Sequence, residues 1–228
     1  MNDGRVCAIH QPNLFPRWVT LAKLLASTTW VVLDDVQFCR HDYQHRARLG
    51  QPDAAQRQWL VVPVHLPHGR GTAIRDVRVA DPETARRRVA RLTRQYYRRA
   101  PGWARIAAVV DEVADLIGST ESLATVAETS TTLLLRACGW TGEIVRSSVL
   151  ARQGPISTER SARLADLTRA AGCPTYLCGR SGRAYLHPRP FTRTATTVEF
   201  FALPDADQGP LVDLTALTTL AARTVPSA

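Results

Sequence analysis

Three apolar stretches of this chain run into residues that can do chemistry. Arg5 to Ile9 leads to His10, Trp30 to Leu33 leads to Asp34-Asp35, and Thr175 to Leu177 leads to Cys178 and then Gly179-Arg180-Ser181-Gly182. A thiol nucleophile needs a base within hydrogen-bond reach, and the base needs an orienting carboxylate. Cys178, His10 and Asp35 have those three identities. An oxyanion formed on attack needs N–H donors aimed at it, which Gln11 and the backbone of Gly179 to Gly182 can offer. A plainer reading stands beside this one. A free cysteine in an apolar run is often an inert core residue, and His10 can serve simply to hold its own loop. Both readings stay open at the level of sequence.

A second polar stretch, Gln37 to Arg48, mixes charge with aromatic rings. Arg46 and Arg48 suit a carboxylate or phosphate, because a guanidinium binds such groups through two parallel hydrogen bonds. The same segment also reads as a hairpin with alternating exposed charges. His41 and His45 are four residues apart, but no third ligand accompanies them, so no metal is expected. His65, Pro67 and His68 read as a polar turn.

These residues need elements to position them. Arg5 to Ile9 reads as a buried strand. Pro12 and Pro16 fix φ in the loop that follows, and Trp18 to Ala26 has helical spacing through Leu21, Leu24 and Leu25. Trp30 to Leu33 is a second buried strand, which makes a strand-helix-strand unit with short connections. Further strands are expected at Trp59–Val64, Ile74–Val79, Glu143–Val145, Thr175–Cys178 and Val198–Leu203. Asp81-Pro82 opens a helix that runs to about Arg99, with Ala85, Val89, Leu92 and Tyr96 as its core face. A helix carrying Ile106, Val109, Val110 and Val113 inward stops at Gly118, and another runs from about Glu121 to Ala137. Ser157 or Thr158 is placed to cap a helix through Leu164 and Leu167, and Leu211 to Ala222 reads as the last helix. The fold class expected is α/β: one domain over residues 1–228, a mostly parallel sheet with flanking helices, and a helical insertion between about residues 81 and 138. In such sheets ligands bind beyond the carboxyl ends of the strands. His10, Asp34-Asp35 and Cys178 would therefore converge if their strands are neighbours.

Composition narrows the function classes. The chain has 228 residues, 45% of them hydrophobic, which is too apolar for intrinsic disorder. No apolar run approaches the roughly 20 residues of a membrane span, and no leader pattern opens the chain. Five scattered cysteines form neither a disulfide framework nor zinc spacing, so a reducing cytoplasm is the expected compartment. The net charge of +9 first suggests nucleic acid. Its placement argues otherwise. Seven arginines against Asp81 and Glu83 give the segment 81–99 a net +5, leaving +4 for the rest. Arg87, Arg91, Arg94 and Arg98 line the face opposite its core and suit an acidic partner or solvent. The 7% aromatic content offers no base-stacking platform. Lys23 is the only lysine among 29 Lys and Arg residues, which reads as coding bias.

The motifs together carry a resemblance. Ile9-His10-Gln11-Pro12-Asn13-Leu14-Phe15-Pro16, Leu33-Asp34-Asp35-Val36-Gln37-Phe38, Tyr43-Gln44-His45-Arg46, Trp59 to Val64, Thr175 to Gly179, Ser181-Gly182 and Tyr185-Leu186 are similar, in order and spacing, to the WbqC-like family. Each motif alone is unspecific; the combination covers nearly the whole chain. Such proteins occur in O-antigen, polysaccharide and natural-product gene clusters, so the resemblance implies a bacterial biosynthetic enzyme. The matched positions imply substrate contacts at Gln11, Asn13, Asp34, Gln37, Arg46, Gly179 and Ser181. The family pattern commonly has Ser at the position of Cys178 and Asn at those of His45 and Ala47, so a strict cysteine mechanism is not general to it.

The leading expectation is an enzyme that forms an amide or related acyl bond. Cys178 would be nucleophile, His10 base and Asp35 orienter, with Arg46 on the substrate's anionic group. The donor would be a thioester on coenzyme A or an acyl carrier protein, the acceptor a small-molecule amine, and no cofactor would be tightly bound. A non-covalent nucleotide-utilising transferase is the second expectation. It is weakened because Arg17-Trp18 stands where a second histidine belongs. A binding module that docks an acidic carrier protein through the arginine helix is the third. Nucleic acid is not an expected partner.

Overall fold

The structure is a computed structural model and describes residues 4–51, 56–203 and 214–222. In chain order the elements are β1 (Val6–His10), α1 (Trp18–Leu25), β2 (Thr29–Val32), β3 (Arg46–Gly50), β4 (Arg57–Val61), β5 (Val64–His65), β6 (Arg78–Val79), α2 (Pro82–Tyr97), α3 (Trp103–Ser119), α4 (Leu123–Ala137), β7 (Glu143–Arg146), α5 (Ser147–Gln153), α6 (Arg160–Ala170), β8 (Thr175–Gly179), α7 (Arg189–Arg193), β9 (Thr197–Phe201) and α8 (Ala216–Ala222). They cluster into two compact units. Of the described residues, one comprises 4–11, 22–35 and 140–203, and the other 12–21, 36–51, 56–139 and 214–222.

The first unit holds a five-stranded sheet in the order β7-β2-β1-β8-β9, with every pairing parallel. The α/β class is therefore shown. Its inner strands are short apolar runs, as strands covered on both faces require. On one face Cys7, Ile9, Val31, Tyr176 and Cys178 pack with Leu150, Ala165, Leu167 and Phe191 from α5, α6 and α7. Tyr176 and Phe191 stack at 5.6 Å between ring centroids. From β1 the chain moves through β2 towards β7, and from β8 it moves the other way to β9. Strand order thus reverses between β1 and β8, the topological switch point of such a sheet. Pairing there is also shortest. β1 and β8 match at Val6–Thr175 and Cys7–Tyr176 only, whereas β1 and β2 run on to His10–Val32 and β8 and β9 to Gly179–Phe201.

The second unit combines the antiparallel pairs β3-β4 and β5-β6 with α2, α3, α4 and α8. Asp81 caps α2 by accepting from the Thr84 N–H at 3.0 Å, with Pro82 at the first helical position. The core face of α2 is Ala85, Val89, Leu92, Thr93 and Tyr97, so Tyr97 replaces the expected Tyr96. The Tyr97 hydroxyl is buried against Thr218 at 2.8 Å and accepts from the Gly50 N–H at 3.3 Å. Burial pushes it up to about 12. Ion pairs join α2 to α3 through Arg94–Asp111 at 2.8 Å and Arg86–Asp115 at 3.6 Å.

Several local expectations are corrected. The strand expected over Trp59–Val64 breaks at Val62-Pro63 into β4 and β5. The one expected over Ile74–Val79 begins instead as a 3-10 turn, Ile74–Asp76. Ile74 N–H donates to Val36 O at 2.9 Å and Gln37 bridges Ala73, so pairing with that segment overrides the local alternation. Helix α6 is capped by Glu159, whose carboxylate accepts from Ser161 and Ala162 N–H, rather than by Ser157 or Thr158. Of the last expected helix, residues 211–213 lie outside the described residues.

Phe15 is buried with φ 43°, a costly conformation for a bulky residue. Its backbone is over-determined. Its N–H donates to Ser130 Oγ at 3.0 Å, its carbonyl accepts from Thr215 at 2.8 Å, and the neighbouring Leu14 N–H donates to Tyr43 O at 3.0 Å.

Candidate functional site

The carboxyl edge of the parallel sheet brings together the ends of β2, β1 and β8, the convergence that the residue types suggested. His10 is half-buried at the end of β1. Its Nδ1 lies 2.9 Å from Gln11 O, and its carbonyl accepts from Leu33 N–H at 2.9 Å and Trp30 Nε1 at 3.2 Å. Gln11 follows it, also half-buried.

Asp34 and Asp35 lie at the end of β2 and are largely consumed by their own unit. Asp34 accepts from Ser148 N–H at 3.0 Å and Ser148 Oγ at 2.6 Å, which fastens β2 to the start of α5. The single Ser147 hydroxyl proton faces Asp35 at 2.6 Å and Asp34 at 3.0 Å, and the shorter contact is the better bond. Arg163 of α6 completes the arrangement with an ion pair to Asp35 at 2.7 Å. Burial raises the Asp35 carboxyl, but the Ser147 hydroxyl and the Arg163 guanidinium outweigh it and hold the group below its ordinary value.

The three proposed catalytic residues therefore do not assemble as a triad. Asp35 is bonded to Ser147 and Arg163, and His10 Nδ1 lies against Gln11 O, so Asp35 is not the group that orients the imidazole. Cys178 packs with Ile9 on one face of the sheet. Successive strand residues point to opposite faces, so His10 points to the other. The thiol is 1% exposed and lies beneath Gly182, where a Cβ would overlap its sulfur. The loop after β8 forms a 3-10 turn, Arg180–Ala184, whose Gly182 carbonyl accepts from Tyr185 and Leu186 N–H. Gly179 is half-buried at its start and Ser181 is exposed on it.

Asn13, Gln37 and Arg46 fall in the second unit. Asn13 is 5% exposed and its Oδ1 has no hydrogen-bond partner, while its carbonyl accepts from Ser130 and Thr131. Gln37 donates to Arg70 O at 2.7 Å. Arg46 is a staple of its own loop. Its guanidinium donates to the carbonyls of Asp42 and His41 and stacks over Trp59 at 4.2 Å. That commitment replaces the expected anion clamp. Arg17 lies over Tyr43 at 4.7 Å, and Tyr43 is 5.7 Å from Trp59. His45 is buried against Phe38. Burial, with Arg46 and Arg40 nearby, lowers it to about 4, so it is neutral at physiological pH. A cavity of about 560 Å³ opens over Gln37, Phe38, Arg40, His41, Leu66 and Arg70, with two guanidinium groups beside an apolar floor.

Of the arginines expected to face a partner, Arg94 is paired with Asp111 and Arg87 with Glu83. Arg91 and Arg98 are exposed. Among the described residues no group of three or more His, Cys, Asp or Glu is arranged to hold a metal, and no helix is long and apolar enough to cross a membrane.

Sequence reasoning missed Ser147, Ser148 and Arg163, which carry no motif and reach the site only through strand order. It also passed over Lys23, whose signal was its solitude among arginines.

Comparison with curated proteins and with solved structures gave no match. The model of the WbqC-like protein family matches residues 11–208, a span that includes the loop after β1, the Asp34-Asp35 turn, the arginine-stapled loop and β8, and the chain belongs to that family.

Proposed function

We propose that this protein is a biosynthetic enzyme that forms an amide or related acyl bond, moving an acyl or aminoacyl group from a thioester donor to an amine of a sugar or natural-product intermediate. The observation that carries the reading is His10: a half-buried imidazole at the carboxyl end of the central strand, on the edge of the switch point between β1 and β8. His10 takes the proton from the attacking amine. The Gln11 amide supports the oxyanion that forms on the thioester carbonyl, and the thiolate of the donor leaves. The buried, glycine-covered Cys178 argues for direct attack by the amine rather than an acyl-cysteine stage. The network of Asp34, Asp35, Ser147, Ser148 and Arg163 holds the edge rigid. By its lining alone, the cavity beside Arg40 and Arg70 in the second unit suits an anion such as a phosphate or carboxylate. His10→Ala should lose turnover by about 10²-fold or more while keeping the wild-type circular dichroism. Retained turnover would remove the histidine from the mechanism.

The same cavity favours one second reading, a nucleotide-utilising transferase, because paired guanidinium groups also suit a nucleotide's phosphates. Calorimetric titration separates the two: coenzyme A binding without nucleotide binding supports acyl transfer, and the reverse supports the nucleotide reading.

A further inference from the structure

Lys23 is the only lysine in a chain whose every other fixed cation is arginine. It is 6% exposed, on the last turn of α1, within the sheet unit. Its Nζ donates to Ile9 O at 3.2 Å. The carbonyls of Val6 and His10 accept from Thr28 and Leu33 on the β2 side, so the intervening Ile9 carbonyl points towards β8. That is where the β1–β8 ladder has already ended, at Cys7–Tyr176. The buried lysine amine therefore binds a carbonyl beyond the last paired residues of β1 and β8, at the switch point of the sheet.

An ammonium has three donors, and the Ile9 carbonyl uses one of them. No carboxylate pairs with Lys23 among the described residues. The titratable groups facing it are thiols, Cys7 from β1 and Cys178 from β8. A buried cation without a counter-ion is expensive. Burial lowers the amine to about 8, and the two thiols only partly offset it. Arginine keeps its charge in such a place at any accessible pH, whereas a lysine lowered to about 8 gives up its proton readily and holds it more firmly once an anion arrives.

We propose that the β1–β8 crevice is a carboxylate-binding site in which Lys23 holds the carboxylate of a small organic acid. Its two remaining N–H donors match the two oxygens of a carboxylate. A phosphate dianion would demand more donors than the two that Lys23 has left. The site stands on Lys23 and the strand geometry, not on the transfer reaction, so it is tested without turnover.

Because Lys23 is the sole lysine, protein grown with lysine labelled at Cε and Nζ gives one side-chain signal by nuclear magnetic resonance. Its titration midpoint should lie near 8 and rise by about one unit, a tenfold gain in proton affinity, when acetate or glycine replaces chloride at equal ionic strength. The same acids should raise the melting temperature of the wild type and not of Lys23→Met. A midpoint at the ordinary lysine value, an equal response to chloride, or equal stabilisation of Lys23→Met would each overturn the proposal.

Discussion

The Cys178 sulfur lies so close beneath Gly182 that a side chain at the glycine cannot fit over it. Overpacking of this kind typically costs about 1–3 kcal/mol. Gly182→Ala should therefore lower stability in urea denaturation by that order. The double variant Gly182→Ala/Cys178→Ala should recover part of the loss, since the added methyl then occupies the space the sulfur leaves. A Gly182→Ala protein as stable as wild type would contradict the packing.

Asp35 is held by Ser147 and Arg163 with little solvent access. Removing one partner of such a pair strands the other, at a cost of about 3–5 kcal/mol when fully buried and less at this partial exposure. Arg163→Met should thus destabilise by about 2 kcal/mol near neutral pH. The folded Asp35 carboxyl lies below its unfolded value, so its contribution is present above the unfolded pKa and is lost as pH falls through the folded one. Denaturation curves from neutral pH down to strong acid should show the variant's deficit shrinking across that window. A deficit constant with pH would assign the loss to packing alone.

His45 sits the opposite way round from an ordinary titrating histidine. Its folded value of about 4 lies below the unfolded 6.5, so the unfolded chain binds more protons between the two and stability falls as pH drops from 6.5 towards 4. His45→Asn removes that titration. The variant should show a flatter stability profile across this window than wild type. An unchanged slope would show that the imidazole is accessible.

Lys23 gives a third pH signature. With a folded value near 8 and an unfolded one near 10.5, stability should rise with pH between them. Lys23→Met should abolish that rise. At pH 7 the variant should be more stable by up to about 3 kcal/mol, the cost of the buried charge, less whatever the Ile9 carbonyl loses with its partner. A variant destabilised at pH 7 would mean the ammonium is well solvated or paired.

Much of the sheet could be read from residue types alone. An apolar run that stops at a polar residue marks both a buried strand and its end, which is why His10, Asp34 and Gly179 come out at the correct edge. Facing could not be read. His10 and Cys178 both look terminal, but the matched register of β1 and β8 places Cys178 level with Ile9, one residue off, and one residue turns a side chain to the other face. That register belongs to long-range pairing, not to any local pattern. The same one-residue ambiguity on a helix put Tyr96 where Tyr97 packs. Arg46 shows a different limit. A guanidinium after an aromatic loop reads equally as a ligand clamp or as a staple for its own carbonyls, and only the fold decides between them.

Direct acyl transfer with His10 as base and without an acyl-cysteine stage is tested by incubating wild type, His10→Ala and Cys178→Ser with acetyl-coenzyme A, reading the intact protein mass first, then adding glycinamide as a generic amine and following free thiol release over an enzyme-free control. Thiol release is expected from wild type and Cys178→Ser, little from His10→Ala, and no acylated protein from any of them. An acyl adduct on wild-type Cys178, with thiol release lost in Cys178→Ser, would contradict it.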